Sequence, residues 1–175
     1  MFRIFDGDVY HVLTNDDILI FRPNSARIAR TLILTPPGVK PQFYSILAVL
    51  LAKSGIEVIM PRSALPCNPI GIRRLAVKLI QGYDPDLLLV MGFRLSDINK
   101  PIITIAFNEE ASERQLVRSY VPGSARALII NDCVKLMRDV VSADLMISEE
   151  LPALSTVIRI RDFVLNRVNA LRMGK

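Results

Sequence analysis

Thr31-Leu32-Ile33-Leu34-Thr35-Pro36-Pro37-Gly38-Val39-Lys40-Pro41 is the stretch on which the fold turns. Residues 31–35 have the continuous apolar texture of a strand buried on both faces of a parallel sheet, and the prolines and glycine that follow end it. Beyond them Phe43, Ile46, Leu47, Leu50 and Leu51 recur at helical spacing up to Lys53. Ser54-Gly55 then supply a stop where glycine takes the left-handed cap, and Glu57-Val58-Ile59-Met60 reads as the next strand. Strand, helix and strand within about thirty residues make a βαβ unit, a right-handed crossover between parallel strands.

Working outward, the pattern repeats. After the proline-rich stretch 61–69, a helix is expected from about Ile72 to Gln81, then a strand over Asp86–Met91 that Gly92 ends. Pro101–Phe107 reads as a buried strand, Glu109–Ser119 as a helix, Ala127–Ile130 as a strand or short buried segment, Cys133–Val141 as a helix and Asp144–Ile147 as the closing strand. A last helix, Ile160 to about Arg172, carries Ile160, Val164, Val168 and Leu171 as a stripe. Toward the N-terminus the texture differs. Arg3–Phe5, Val9–Leu13 and Ile18–Phe21 are short strand-like runs separated by Asp6-Gly7-Asp8 and Thr14-Asn15-Asp16-Asp17, a three-stranded meander that extends one edge of the main sheet or meets a second subunit. The expected fold class is therefore α/β: a three-layer, Rossmann-like or flavodoxin-like parallel sheet with an N-terminal antiparallel meander. A single domain over residues 1–175 is expected, with the meander over 1–30, the Rossmann-like core over 31–150 and the C-terminal helix within 151–175.

With 175 residues, 51% hydrophobic and 22% charged, the chain has the composition of one globular domain rather than a disordered segment. Its longest apolar run, Ile46 to Ala52, falls far short of the roughly 20 residues that span a bilayer. The acidic start Met1-Phe2-Arg3-Ile4-Phe5-Asp6 is unlike a signal peptide, so a cytoplasmic protein is expected. Cys67 and Cys133 are far apart, and a single histidine cannot complete a zinc set with them, so no metal is expected. Buried free thiols are the reading, and a disulfide requires the fold to bring the two together. The net charge of +5, dominated by arginine with few glutamines, suits anionic partners, and equally a thermophile's solvated surface.

Ligands of open parallel sheets sit beyond the carboxyl ends of the strands. That rule selects Thr35, Gly38 and Lys40 after the first parallel strand, Gly92 and Arg94 after the third, Asn108, Glu109 and Glu110 after the fourth, and Ser148, Glu149 and Glu150 after the last. Lys40 and Arg94, with Arg62, Arg73 and Arg74 nearby, are suited to a phosphate. Paired carboxylates at 109–110 suit acid and base work, and acids also favour the first turn of any helix. There is no G-x-G-x-x-G and no G-x-x-x-x-G-K-[ST], so no cofactor is expected. Ser148 lacks a base, since His11, the lone histidine, lies in the meander.

The order of motifs resembles the N-terminal Rossmann-like half of GT-B glycosyltransferases over residues 31–150. The resemblance is carried by Leu32-Ile33-Leu34-Thr35-Pro36-Pro37-Gly38, Leu50-Leu51-Ala52-Lys53-Ser54-Gly55-Ile56-Glu57-Val58, Tyr83-Asp84-Pro85-Asp86-Leu87-Leu88-Leu89-Val90, Lys100-Pro101-Ile102-Ile103-Thr104-Ile105 and Ser142-Ala143-Asp144-Leu145-Met146-Ile147-Ser148-Glu149. It implies a sugar- or nucleotide-binding domain with a phosphorylated or nucleotide-sugar ligand, incomplete for catalysis without a second domain or partner subunit. A second resemblance, to flavodoxin-like cobalamin-binding modules, rests on the strand followed by Pro-Pro-Gly and lacks the histidine-bearing ligand motif. The alternatives are a non-catalytic assembly protein, acting as a homo-oligomer, and a basic nucleic-acid-binding protein.

Overall fold

Two tight turns shape the N-terminal strands. In the computed structural model, which describes residues 1–15, 17–119, 126–138, 140, 143–148 and 153–174, β1 (Phe2–Asp6), β2 (Tyr10–Thr14) and β3 (Ile18–Pro23) form an antiparallel meander. The Gly7 N–H donates to the Tyr10 carbonyl at the first turn, and Asn15 Oδ1 accepts from the Asp17 and Ile18 N–H groups at the second. An Asn side chain that mimics a backbone turn in this way fixes where β3 starts.

From Ala29 onward strands and helices alternate: β4 (Ala29–Leu34), α1 (Ser45–Lys53), β5 (Ile56–Pro61), α2 (Pro69–Tyr83), β6 (Leu87–Met91), β7 (Ile102–Phe107), α3 (Glu109–Ser119), α4 (Arg126–Arg138), β8 (Leu145–Ile147) and α5 (Leu154–Met173). All eight strands join one sheet in the order β1-β2-β3-β5-β4-β6-β7-β8, parallel from β5 through β8, with β3 antiparallel to β5. The α/β class and the antiparallel N-terminal meander are thus as the sequence indicates, and the meander extends the β5 edge.

The pleat divides each parallel strand between two layers. On one face α1 and α5 bury Leu47, Leu51, Ile160 and Val164 against Ile33, Val58 and Leu89. On the other, α2 buries Ile72, Ala76 and Leu79 against Leu32, Ile59 and Leu88. Each of these Leu, Ile and Val side chains, fully buried, stabilises the fold by about 1.5–3 kcal/mol relative to exposure, and Ala76 by less. Helix α4 contributes Cys133, Val134 and Met137 to the first cluster and packs Leu136 against the second, so it straddles the carboxyl edge of the sheet.

Two expectations change. Residues 127–130 belong to α4 and are not a strand; an apolar run that short reads the same in a buried strand and a buried helix. Helix α2 starts at Pro69, earlier than its apolar stripe suggests, because Asn68 Oδ1 caps it by accepting from the Ile70 and Gly71 N–H groups and proline fits the first turn. Of the two orders expected for the parallel strands, the Rossmann-like one, 3-2-1-4-5-6, places a third parallel strand outside the second. Here antiparallel β3 takes that place, and the parallel strands follow the flavodoxin-like order instead.

Candidate functional site

The parallel strand order reverses between β4 and β6, where ligand crevices form in such sheets. Thr35, at the end of β4, is fully buried, and its hydroxyl makes no hydrogen bond among the described residues. The Gly38 N–H donates to the Leu65 carbonyl at 2.8 Å, tying this turn to the loop after β5, so it is spent on structure. Lys40 is exposed. Gly92 has φ +79°, a left-handed conformation that favours glycine. A Cβ there would stand 3.3 Å from Met137 Cγ and 3.5 Å from Pro36. The crevice is therefore filled by the protein itself, with Met137 of α4 lying over Gly92.

Two connections hold α4 there. Cys67, in the loop after β5, is disulfide-bonded to Cys133 of α4 with their Cα atoms 5.0 Å apart, which replaces the free-thiol reading. Arg138 of α4 pairs with Glu109 at 2.6 Å. Nearby, Tyr44 is wholly buried and its hydroxyl donates to Gln115 Oε1 of α3, so burial pushes its pKa above the ordinary phenol value.

The acidic residues at this edge do not converge. Glu110 pairs with Arg114, one helical turn on, while Glu109 faces Arg138. Asn108 caps α3, accepting from the Ala111 N–H at 2.7 Å and donating through Nδ2 to the Ser148 carbonyl at 3.3 Å. Ser148 is exposed, and Glu149 and Glu150 lie outside the described residues. Arg94 is exposed beside a hollow of about 130 Å³ that Phe93, Ser96, Leu136 and the first turn of α2 also line. Its neighbour Arg73 donates to the Ser96 and Asp97 carbonyls, whereas Arg94 has no partner among the described residues.

Sequence reasoning missed a cluster at the opposite, amino edge. Glu57, in β5, is 3% exposed. Its Oε2 accepts from Arg22 Nε at 2.8 Å, and its Oε1 from Arg30 Nε at 2.6 Å and Arg27 Nη1 at 3.4 Å. Burial alone would raise the Glu57 pKa, but the hydrogen bonds and charges of Arg22 and Arg30 outweigh it and hold the carboxyl below its ordinary value. Cross-strand register extends the row: Asp6 stands opposite His11 and His11 opposite Arg22. The Arg30 N–H donates to Asp86 Oδ2 at 2.8 Å. One signal was readable, a lone carboxylate inside the apolar run Ile56–Met60, because a buried charge requires partners.

No protein-family model matches the chain, and no curated protein matches it. Among solved structures it is similar to a candidate esterase from Staphylococcus aureus, with 15% identity and a TM-score of 0.43 over 80% of this chain. The chain spans 59% of that protein's length. It is also similar to TT1662 from Thermus thermophilus, with 10% identity and a TM-score of 0.47 over 91% of this chain and 98% of that one. Likeness at this level carries no activity across. The sheet, with antiparallel β3 beside β5 and the parallel strands in flavodoxin-like order, differs from the Rossmann-like half that the resemblance implied, so the glycosyltransferase reading is withdrawn. Neither the assembly nor the nucleic-acid alternative gains support from these matches. Among the described residues, no helix is long and apolar enough to cross a membrane.

Proposed function

We propose that this chain binds a small phosphorylated molecule at the carboxyl edge of its sheet, with Arg94 as the principal contact. The observation that carries the reading is the contrast among charges at that edge. Glu109 and Glu110 are each neutralised by an arginine, while the Arg94 guanidinium faces a hollow with no partner among the described residues. A planar fork of donors matches phosphate oxygens in a bidentate fashion, and the first turn of α2 on the hollow's wall adds the positive end of a helix dipole. The backbone contributes less, because Asn68 already takes the Ile70 and Gly71 N–H groups. Lys40 joins Arg94 as a second cation of this edge.

Binding fits these residues better than serine hydrolysis does. A nucleophile elbow is a strand, a G-x-S-x-G turn and a helix; here β6 runs into Gly92-Phe93-Arg94-Leu95-Ser96, with arginine where the serine would stand, and reaches β7 without a helix. The lone histidine, His11, is on β2, four strand positions from β6, or roughly 19 Å at the usual strand spacing. We also propose a cytoplasmic location, which the acidic N-terminal sequence, unlike a signal peptide, favours and against which the Cys67–Cys133 disulfide weighs outside hyperthermophiles.

Thermal unfolding with millimolar inorganic phosphate and phosphomonoesters tests the proposal, since a ligand that binds only the folded state raises the melting temperature. The expected result is a rise in the wild type that Arg94→Gln abolishes. An equal rise in both proteins would refute the assignment of Arg94.

A further inference from the structure

The amino edge of the sheet holds more positive charge than its buried carboxylate requires. One guanidinium neutralises Glu57, yet three are gathered on it. Arg22 and Arg27 keep 47% of their side-chain surface and Arg30 keeps 21%, so all three reach solvent. The way they bind Glu57 also matters. Arg22 and Arg30 each use Nε alone, and Arg30 spends Nη1 on the Tyr83 carbonyl. Both terminal nitrogens of Arg22, Nη2 of Arg30, and Nε and Nη2 of Arg27 have no partner among the described residues. Of the neighbouring acids, Asp6 lies 2.5 Å from His11 Nδ1, Asp84 pairs with Lys100 and is also within the field of Arg30, and Asp86 accepts the Arg30 backbone N–H, so none of them takes the free guanidinium nitrogens.

Gathering like charges is unfavourable unless something of opposite sign relieves it, and long arginine side chains lose conformational freedom when held. Glu57, fixed in the central strand β5, has already immobilised two of these guanidiniums through short bonds from Nε. An incoming anion therefore meets donors that are positioned before it arrives, which is the condition under which binding costs least.

From this geometry we propose that Arg22, Arg27 and Arg30, arrayed on Glu57, form a second anion site, separate from the Arg94 edge, that takes a compact oxyanion of two or more negative charges such as a pyrophosphate group. Neither the Arg94 reading nor its failure bears on this site, because the two lie at opposite ends of the parallel strands.

Isothermal titration with inorganic pyrophosphate on the full chain tests it. The comparison set is wild type, the double variant Arg22→Gln with Arg27→Gln, and Arg94→Gln. Arg30 remains to hold Glu57 in the double variant, and Arg27→Gln alone, which removes only the 3.4 Å contact, serves if the double variant does not fold. We expect the double variant to lose at least tenfold in affinity at this site, Arg27→Gln alone to weaken it severalfold, and Arg94→Gln to keep it. Binding in the wild type should also weaken steeply with salt. Wild-type affinity in the arginine variants, or no wild-type binding at millimolar pyrophosphate, would overturn the proposal. A loss confined to Arg94→Gln would support the carboxyl-edge reading and overturn this one.

Discussion

The two ends of the parallel strands solve the problem of charge in opposite ways. At the carboxyl edge Glu109 and Glu110 each meet one arginine, and the crevice between β4 and β6 is closed by Met137 of α4. At the amino edge one carboxylate is buried in the sheet and surrounded by an excess of arginines. The first end is held by packing and a covalent clasp, the second by electrostatics. Strand-end rules therefore name the loops of one edge without revealing whether the space between them is open, because the occupant comes from a helix remote in sequence.

The largest expected effect falls on the clasp. Cys67 and Cys133 are 66 residues apart, and closing a loop of that length removes enough freedom from the unfolded chain to stabilise the fold by about 4 kcal/mol. We expect Cys133→Ser to lower the urea unfolding free energy by that order, and a reductant to do the same to the wild type. Unchanged unfolding midpoints would mean that packing alone holds α4 over the edge.

Next in size is the electrostatic end, and here pH gives the sign. Because the arginines depress the Glu57 pKa, the unfolded chain takes up the proton first as pH falls from the ordinary value of 4.5. The stabilisation is complete above that value and is lost as pH drops through the lower native pKa. Glu57→Gln should cost about 3 kcal/mol at neutral pH, where it leaves guanidiniums without their counter-charge, and should flatten the acid limb of the stability curve. An acid limb as steep as that of the wild type would assign the acid sensitivity to other carboxylates.

How much of this was legible in the sequence follows from how local each determinant is. The βαβ texture of residues 31–60, the meander turns at Gly7 and Asn15, and the strand ends at Thr35, Gly92 and Asn108 are set by residues close in sequence, and they fall where expected. The disulfide, Met137 over Gly92, and three arginines on Glu57 depend on register between strands and on a helix crossing the edge. No periodicity encodes either. For residues 127–130 the strand alternative fails for a related reason, since four apolar residues carry no period that separates strand from helix. Among the candidate site residues, Asn108 caps α3 and Glu109 and Glu110 form its first turn, tasks that Asn and Glu perform at many helix starts.

The smallest effect tests whether charge contributes to closing the carboxyl edge at all. Arg138 and Glu109 are 59% and 60% exposed and lie 2.6 Å apart. An exposed pair of this kind contributes about 0.2–1 kcal/mol, because water screens it and both side chains lose freedom to form it. If the clasp and the apolar contacts of Cys133, Val134 and Met137 hold α4, Arg138→Ala should leave urea unfolding within that range of the wild type, and reduction should remain as destabilising in the variant as in the parent. A larger loss, or an effect of reduction that vanishes once Arg138 is gone, would make the ion pair and the disulfide one coupled device, and the division between a packed end and a charged end would fail.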